Sequence, residues 1–259
     1  MVDEKEKETA LGGLTSGSAT AIWKLMFYVV AESIHTLELL MDSHSSDVND
    51  TIESIIPHRP KWYADKALAF MQGMALETDT DTYDTSGMTD DEVNAAKVVK
   101  HAVAIENDSS SLLTIKVAGE DSSNNKTPLP AETETQLLSY LKEIKDAGVR
   151  IMLVNKTADK FNCNADIYYN PQLDPDDVKS SCETAIKNYI QNLPFNGEYT
   201  NMALEDALQR VDGVKVVSFN TASCQEEGTS AFSTINARRQ PAAGYFSVGT
   251  VSLNMIAYE

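Results

Sequence analysis

The sequence predicts an α+β fold. A long N-terminal helical region leads into small mixed α/β sheet domains that use a repeated helix-glycine-strand unit. Three observations carry this. Apolar residues recur at spacings of three and four from Ala19 to Met41, the period of one helix face. Short apolar segments bounded by turn residues follow. Two stretches also share one design: Lys145-Asp146-Ala147-Gly148-Val149-Arg150-Ile151 and Val211-Asp212-Gly213-Val214-Lys215-Val216-Val217 each close a helix and open a strand. Gly148 and Gly213 fit the position just past a helix, where left-handed backbone carries no Cβ penalty. One such junction is how any helix joins a strand. Two in one chain predict a repeated building block and favour an assembly protein over an enzyme.

The elements follow in order. Residues 1 to 13 alternate in charge and close on Gly12-Gly13, the pattern of a frayed end, with Thr15, Ser16 or Ser18 placed to cap a helix. The helix then runs through Ala19, Ile22, Trp23, Met26, Val30, Ile34, Leu37 and Met41, thins through Val48, Ile52 and Ile55, and stops at Pro57. Ser43-His44-Ser45-Ser46 is the place for a fray or kink. Uninterrupted, it has about forty residues and spans on the order of 55–60 Å. It outreaches the domain that follows and needs partners to bury its face. Trp23, Met26, Phe27, Val30, Leu37 and Met41 are the candidate interface residues; packing into the chain's own core is the other reading of the aromatic stripe Trp23, Phe27 and Tyr28.

A second helix is predicted over Lys61 to Gln72, and Glu77 to Glu92 reads as an acidic surface linker. Val98 to Ile105 and Leu112 to Ala118 read as strands around the turn Glu106-Asn107-Asp108-Ser109, followed by a loop over Gly119 to Pro130. Glu132 to Lys145 is a helix, Val149 to Val154 a strand, and Phe161 to Tyr169 a strand by strict alternation. Asp176 to Leu193 and Met202 to Arg210 are helices. Val214 to Phe219, Tyr245 to Val248 and Val251 to Ala257 are strands. This organisation divides the chain into a helical region at 1–76, an acidic linker at 77–97, an α+β domain at 98–192 and a C-terminal α+β domain at 193–259.

Charge and cysteine content narrow the function classes. With 39 acidic against 21 basic residues the net charge is −18, so nucleic acid is a poor partner and so is an anionic membrane surface. Cys163, Cys182 and Cys224 stand in no ligand spacing, which points to buried small hydrophobes in a reducing compartment. The charged start Met1 to Glu8 lacks the features of a secretion signal. Ile22 to Ala31 is too short to span a bilayer. A soluble protein made in the cytosol, without membrane insertion, is expected.

The sequence shows no arranged chemistry, and no catalytic, cofactor-binding or metal residue is assigned. His35, His44, His58 and His101 form no ligand pair, and P-loop, GxGxxG, HExxH and GxSxG motifs are absent. The aspartates around Gly87 do not follow a calcium-loop spacing. Gly12 to Ser18 with Asp79 and Asp81 faintly echoes nucleotidyltransferases, which hold a nucleotide on a Gly-Ser turn and magnesium on paired aspartates. A long helix intervenes, and the aspartates sit in a turn-like run. This is the alternative reading, beside a general structural adaptor.

Three stretches together resemble the baseplate J family, wedge proteins of contractile phage tails and related injection machines. They are Ala19-Thr20-Ala21-Ile22-Trp23 to Met41, leading through Ile55 to Trp62-Tyr63-Ala64-Asp65-Lys66-Ala67 and Gly73; Leu137 to Val154 with Ala165-Asp166-Ile167-Tyr168-Tyr169; and Ala185 to Ile190, Gly197, Leu204, Ala207-Leu208 and Val211-Asp212-Gly213-Val214. The patterns are degenerate and cover about two thirds of the chain; little lies between 73 and 130, and the last forty residues match no part of the family. The resemblance implies a structural, non-enzymatic role without cofactor. Helices would bundle with a second copy and a companion wedge subunit, and C-terminal domains would pair to close a ring around the tail tube. The partners would be other baseplate and tail subunits, and the site the virion, assembled in the bacterial host cytoplasm.

Overall fold

The computed structural model describes residues 21–55, 58–107 and 112–259, with the backbone alone described at 50–55. The expected caps at Thr15, Ser16 and Ser18, the start at Ala19, the stop at Pro57 and the turn residues Asp108-Ser109 lie outside the described residues. The chain is mixed α/β with several small sheets. It divides into two compact units, Met1–Pro57 and His58–Glu259.

In the first unit, α1 runs Ile22–Ile55 over 34 residues, about 51 Å at 1.5 Å per residue. It passes through Ser43-His44-Ser45-Ser46 unbroken. The hydroxyls of Ser33 and Thr36 donate back to the carbonyls of Val29 and Glu32 at 2.8 Å, so these polar groups are satisfied within the helix.

The second unit holds two principal cores. In the first, β1 (His101–Asn107) pairs antiparallel with β2 (Leu112–Glu120), which also pairs antiparallel with β3 (Lys126–Thr127) and parallel with β4 (Arg150–Val154). Leu113, Ile115 and Val117 alternate inward from β2, the period-two pattern of a strand with one buried face. Two helices cover them. In α2 (Pro60–Ala69), Tyr63 and Ala67 are buried, and Pro60 occupies the first turn, where a missing N–H costs nothing. In α4 (Ala131–Ile144), Thr133, Leu137, Tyr140 and Leu141 form the buried stripe, with Glu132 and Glu134 in the first turn and Lys142 in the last, all favourable to the helix dipole. Between α2 and β1 lies α3 (Asp90–Ala96). It opens on a capping box in which Glu92 N donates to Thr89 Oγ1 and Thr89 N donates to the Glu92 carboxylate.

The second core is built on the sheet β10-β5-β7-β8. Its middle strand β5 (Asp159–Tyr169) runs parallel to β10 (Phe246–Ala257) and antiparallel to β7 (Val214–Gln225), which carries β8 (Ser233–Ile235) at its far edge. Two helices supply apolar residues to this core. In α5 (Pro175–Gln191) these are Val178, Cys182, Ile186 and Ile190, and Asp174 caps it; in α6 (Asn201–Gln209) they are Leu204 and Leu208, and Thr200 caps it. A short ribbon of β6 (Tyr199–Thr200) and β9 (Arg238–Arg239) stands beside them.

These cores redraw the expected boundaries. Tyr63, Ala67 and Phe70 belong to one core with Val99, Leu113 and Leu137, so the segment 58–76 joins the sheet region and not α1. Phe161, Cys163, Val178 and Cys182 share the other core with Tyr199, Leu204 and Leu253. The division at 192/193 therefore cuts through a single core, because β5 takes its sheet partners from beyond residue 213. The linker at 77–97 contains α3, the loop at 119–130 contains β3, and β7 extends to Gln225. The two strands expected at 245–257 are one strand with a register shift between Val248 and Val251. Gly249 sits in that bulge because a Cβ there would collide with the Asn162 side chain and press on the Phe161 carbonyl.

Gly213 has φ +91 and Gly148 φ +90. A Cβ on Gly213 would strike Leu173 and Val178, whereas Gly148 has nothing within 4 Å. Gly148→Val is expected to cost about 1 kcal/mol from the left-handed backbone. Gly213→Val should cost clearly more, since it adds a clash. Urea denaturation of both variants measures the difference, and equal losses would reject the packing argument.

Candidate functional site

Helix α1 carries the predicted interface residues. Met26 (63%), Val30 (49%), Leu37 (55%) and Met41 (66%) are exposed, while Trp23 and Phe27 are half-buried. The last two meet edge to face at 5.8 Å between ring centroids, and the Lys24 ammonium lies 5.4 Å from the Trp23 ring. At about 100° per residue these positions share one side of the helix, with Ile34 and Val48.

The apolar surface extends beyond that side. Ile22, Leu25, Tyr28, Val29, Leu39 and Leu40 are also exposed, and Leu25, Tyr28 and Leu39 fall on the opposite side. Between Ile22 and Ala31 the only charge is Lys24. A search for one periodic stripe passes over Leu25, Val29, Leu39 and Leu40 and groups Tyr28 with Trp23 and Phe27; the low charge density of Ile22 to Ala31 is the signal that finds Leu25 and Val29. Among the described residues, none of the buried core clusters includes a residue of α1. Exposed apolar area on this scale makes α1 the candidate interaction surface among the described residues. Among the described residues, no helix is long and apolar enough to cross a membrane.

The aspartates, histidines and cysteines weighed in the sequence stand apart from one another. Asp81 pairs with Lys66 at 2.7 Å, and Asp79 is an exposed turn residue at φ +62. The Gly12 to Ser18 segment lies outside the described residues. His58 bonds the Asp146 carboxylate at 2.9 Å, His101 bonds Glu120 at 2.9 Å, and His35 and His44 are exposed on α1. Cys163, Cys182 and Cys224 are free and buried; burial pushes the Cys163 and Cys182 thiols up to about 11, which suppresses the thiolate. No group of three or more His, Cys, Asp or Glu is gathered to hold a metal among the described residues.

The second unit contains one polar cluster that sequence reasoning missed, and it joins the two cores. From β2, Lys116 Nζ donates to Asn196 Oδ1 at 2.8 Å and to the Pro241 carbonyl at 2.7 Å. Burial lowers its pKa. Asp159 at the start of β5 is fully buried, and its carboxylate accepts from Ala242 N at 2.7 Å and Ala243 N at 3.4 Å. Around these groups Ala118, Ala243 and Tyr245 pack together, with Phe195 beside them, and Phe195 stacks on His101 at 5.6 Å. The turn Leu193 to Glu198 thus serves as the joint. Asn196 holds φ +58 there and donates its N–H to the Gly244 carbonyl.

The Asp159 pKa is raised, chiefly by burial, against the lowering by its two amide donors and by Lys116. A raised folded-state pKa means the folded protein holds the proton more tightly than the unfolded chain. This contribution to stability is full below the ordinary carboxyl value of 3.8 and is lost as pH rises through the folded value. Asp159→Asn is expected to remove that component, so wild type should lose stability relative to the variant as pH rises from 3.8. Chemical denaturation across a pH series reads the difference, and parallel profiles would place the charge elsewhere.

No family model matches the chain, and no curated protein matches it, so the functional reading rests on these residues.

Proposed function

We propose that the chain is a structural, non-enzymatic wedge component of a phage or phage-like tail baseplate. In this reading α1 bundles with helices of neighbouring subunits, among them copies of itself, and the C-terminal region pairs around the tail tube. The observation that carries the proposal is α1, a 34-residue helix whose large apolar side chains stand exposed over most of its described length. Such a helix is stabilised chiefly by tertiary or quaternary packing of its apolar surface, and near-parallel bundling buries it along its whole span.

Two further features support an assembly role. Before β4 and β7 the chain makes similar turns, Val149 N donating to Asp146 O and Val214 N to Val211 O, each with a glycine at positive φ, although the preceding helices end differently, on extended Lys145 and helical Arg210. The turns differ in use, since β4 runs parallel to β2 while β7 runs antiparallel to β5. The surplus of acidic over basic residues suits partners that are protein rather than nucleic acid. The proposed location is the virion baseplate, after assembly in the host cytoplasm, with no membrane insertion and no cofactor.

Met26→Asp combined with Val30→Asp places two carboxylates on the exposed apolar surface of α1. The variant is expected to block particle assembly while leaving the unit His58–Glu259 folded. Electron microscopy of particles made with the variant, and circular dichroism of the purified protein, test both parts. Normal particles would remove the proposal. Robust nucleotide transfer with magnesium or manganese, abolished by Asp79→Ala and Asp81→Ala, would replace it with the enzymatic reading.

A further inference from the structure

Strand β10 is the outermost strand of its sheet and is laddered to β5 alone. Hydrogen bonds at its two ends fix which backbone groups face away. Asp159 N donates to the Tyr245 carbonyl at 3.1 Å, and Tyr258 N donates to the Tyr169 carbonyl at 2.9 Å. In a parallel ladder, a residue facing the neighbouring strand bonds it with both its N–H and its C=O, through the residues flanking its register partner. Asp159, Tyr169 and every second residue between them therefore face β10. Their partners after the bulge are Val251, Leu253, Met255 and Ala257, and these turn both backbone groups to the open edge. Among the described residues no other strand pairs with that edge.

Natural edges of this kind are guarded by charge, proline or a bulge. Phe246 to Tyr258 contains no charged residue, histidine or proline, and the bulge lies before Val251, so the segment Val251–Ala257 is regular. By contrast β1, at the edge of the other sheet, carries His101 and Glu106. Neutrality also selects the occupant. A basic partner strand would be met by carboxylates, and β10 has none. A two-fold pairing sets the strand against its own symmetry mate, where any charge near the axis would meet its like. In a chain of net charge −18, a strand free of charge is what self-pairing requires.

We propose that β10 pairs antiparallel with β10 of a second copy, about a two-fold axis at Asn254. Leu253 then exchanges backbone bonds with Met255 of the second copy, and Val251 with Ala257 of the second copy, so all the outward groups are satisfied. Val251, Leu253 and Met255 pack on the α5 and α6 core, and their apolar layer continues across the axis. Ser252, Asn254 and Ile256 lie on the other face, Ser252 opposite Ile256 of the second copy. This arrangement stands on β10 alone and does not require the role proposed for α1.

Asn254 meets its symmetry mate as a non-hydrogen-bonded pair, the closest approach in an antiparallel ladder and within reach of a disulfide. In the full chain, oxidised Asn254→Cys is expected to give a cross-linked dimer that persists when Met26→Asp and Val30→Asp are added. Ser252→Lys with Ile256→Lys opposes like charges and should abolish the cross-link, while Ser252→Lys with Ile256→Glu should keep it. In the unsubstituted protein, deuterium exchange at the Leu253 and Met255 amides should slow as protein concentration rises. Absence of the cross-link, its loss with the α1 substitutions, its indifference to the lysine pair, or concentration-independent exchange at those amides would overturn the proposal. A cross-link that forms while Met26→Asp and Val30→Asp still permit particle assembly would remove only the helix reading.

Discussion

Strand β5 has to satisfy its backbone on both sides, and much of the second unit follows from how it does so. Alternate residues face β10 and β7, which arrive from segments far along the chain. Once that pairing is made, Phe161, Cys163, Ala165 and Ile167 are fixed on one face, and α5 and α6 close over them. The register is demanding, because a slip by one residue would turn this apolar set outward and bring Asn162, Asn164 and Asp166 into the core. On the opposite face, Asp166 accepts from the side chains of Asn220 and Asn254, tying β7 and β10 to the middle strand a second time. Residues 159–257 are for this reason a single packing unit, and the long sequence separations imply a slow, late-forming sheet.

The same strand anchors the joint between the two cores. Asp159 begins β5 and draws in the amides of Ala242 and Ala243, which positions Pro241 and its carbonyl for Lys116. Burying an ammonium group is costly unless its donors are satisfied. Lys116 is held by two protein oxygens, with the carboxylate of Asp159 favouring its charged form. Small residues such as Ala118 and Ala243 let the backbones approach, and Phe195 fills the space between His101 and Tyr245. A polar joint of this kind is directional, since an apolar seam would tolerate sliding that fixed hydrogen bonds do not.

Local pattern was legible in the sequence where local physics decides the outcome. The alternation of Phe161 to Tyr169 and the helical spacing of Val178, Cys182, Ile186 and Ile190 both read directly, whereas Gly213 lies in a turn three residues beyond the helix cap Arg210 and not directly past the helix. Non-local pairing was not legible. Nothing within residues 159–169 announces a parallel partner at 246–257, so the boundary at 192/193 followed the order of local elements and cut through the core. Gly249 looked like a strand break because a bulge and a turn call for the same residue. Helix α3 was hidden by its charge, although Thr89-Asp90-Asp91-Glu92 is a capping-box signature. On α1 the periodic stripe was read, but Leu25, Val29, Leu39 and Leu40 were passed over and Tyr28 was grouped with Trp23 and Phe27 although it lies on the other side, because a one-sided template is blind to a helix apolar on several sides. The Lys116 joint depends on chain segments that meet only in the fold.

Charge and apolar surface are kept apart along this chain, and the separation has a physical consequence. A net charge of −18 repels like chains at separations up to about a Debye length, roughly 8–10 Å near physiological salt. Burial of apolar surface and strand hydrogen bonding act only on contact. Association is therefore opposed everywhere except where a contact offers enough apolar area or enough unpaired backbone, with few charges, to overcome the repulsion. Ile22 to Ala31, with its single lysine, meets the first condition, and Val251 to Ala257, with no charge at all, meets the second. The acidic remainder discourages other contacts between copies. Raising the salt concentration screens that repulsion while leaving the contact terms in place, so in the proposed assembly the partition of charge would select which surfaces join.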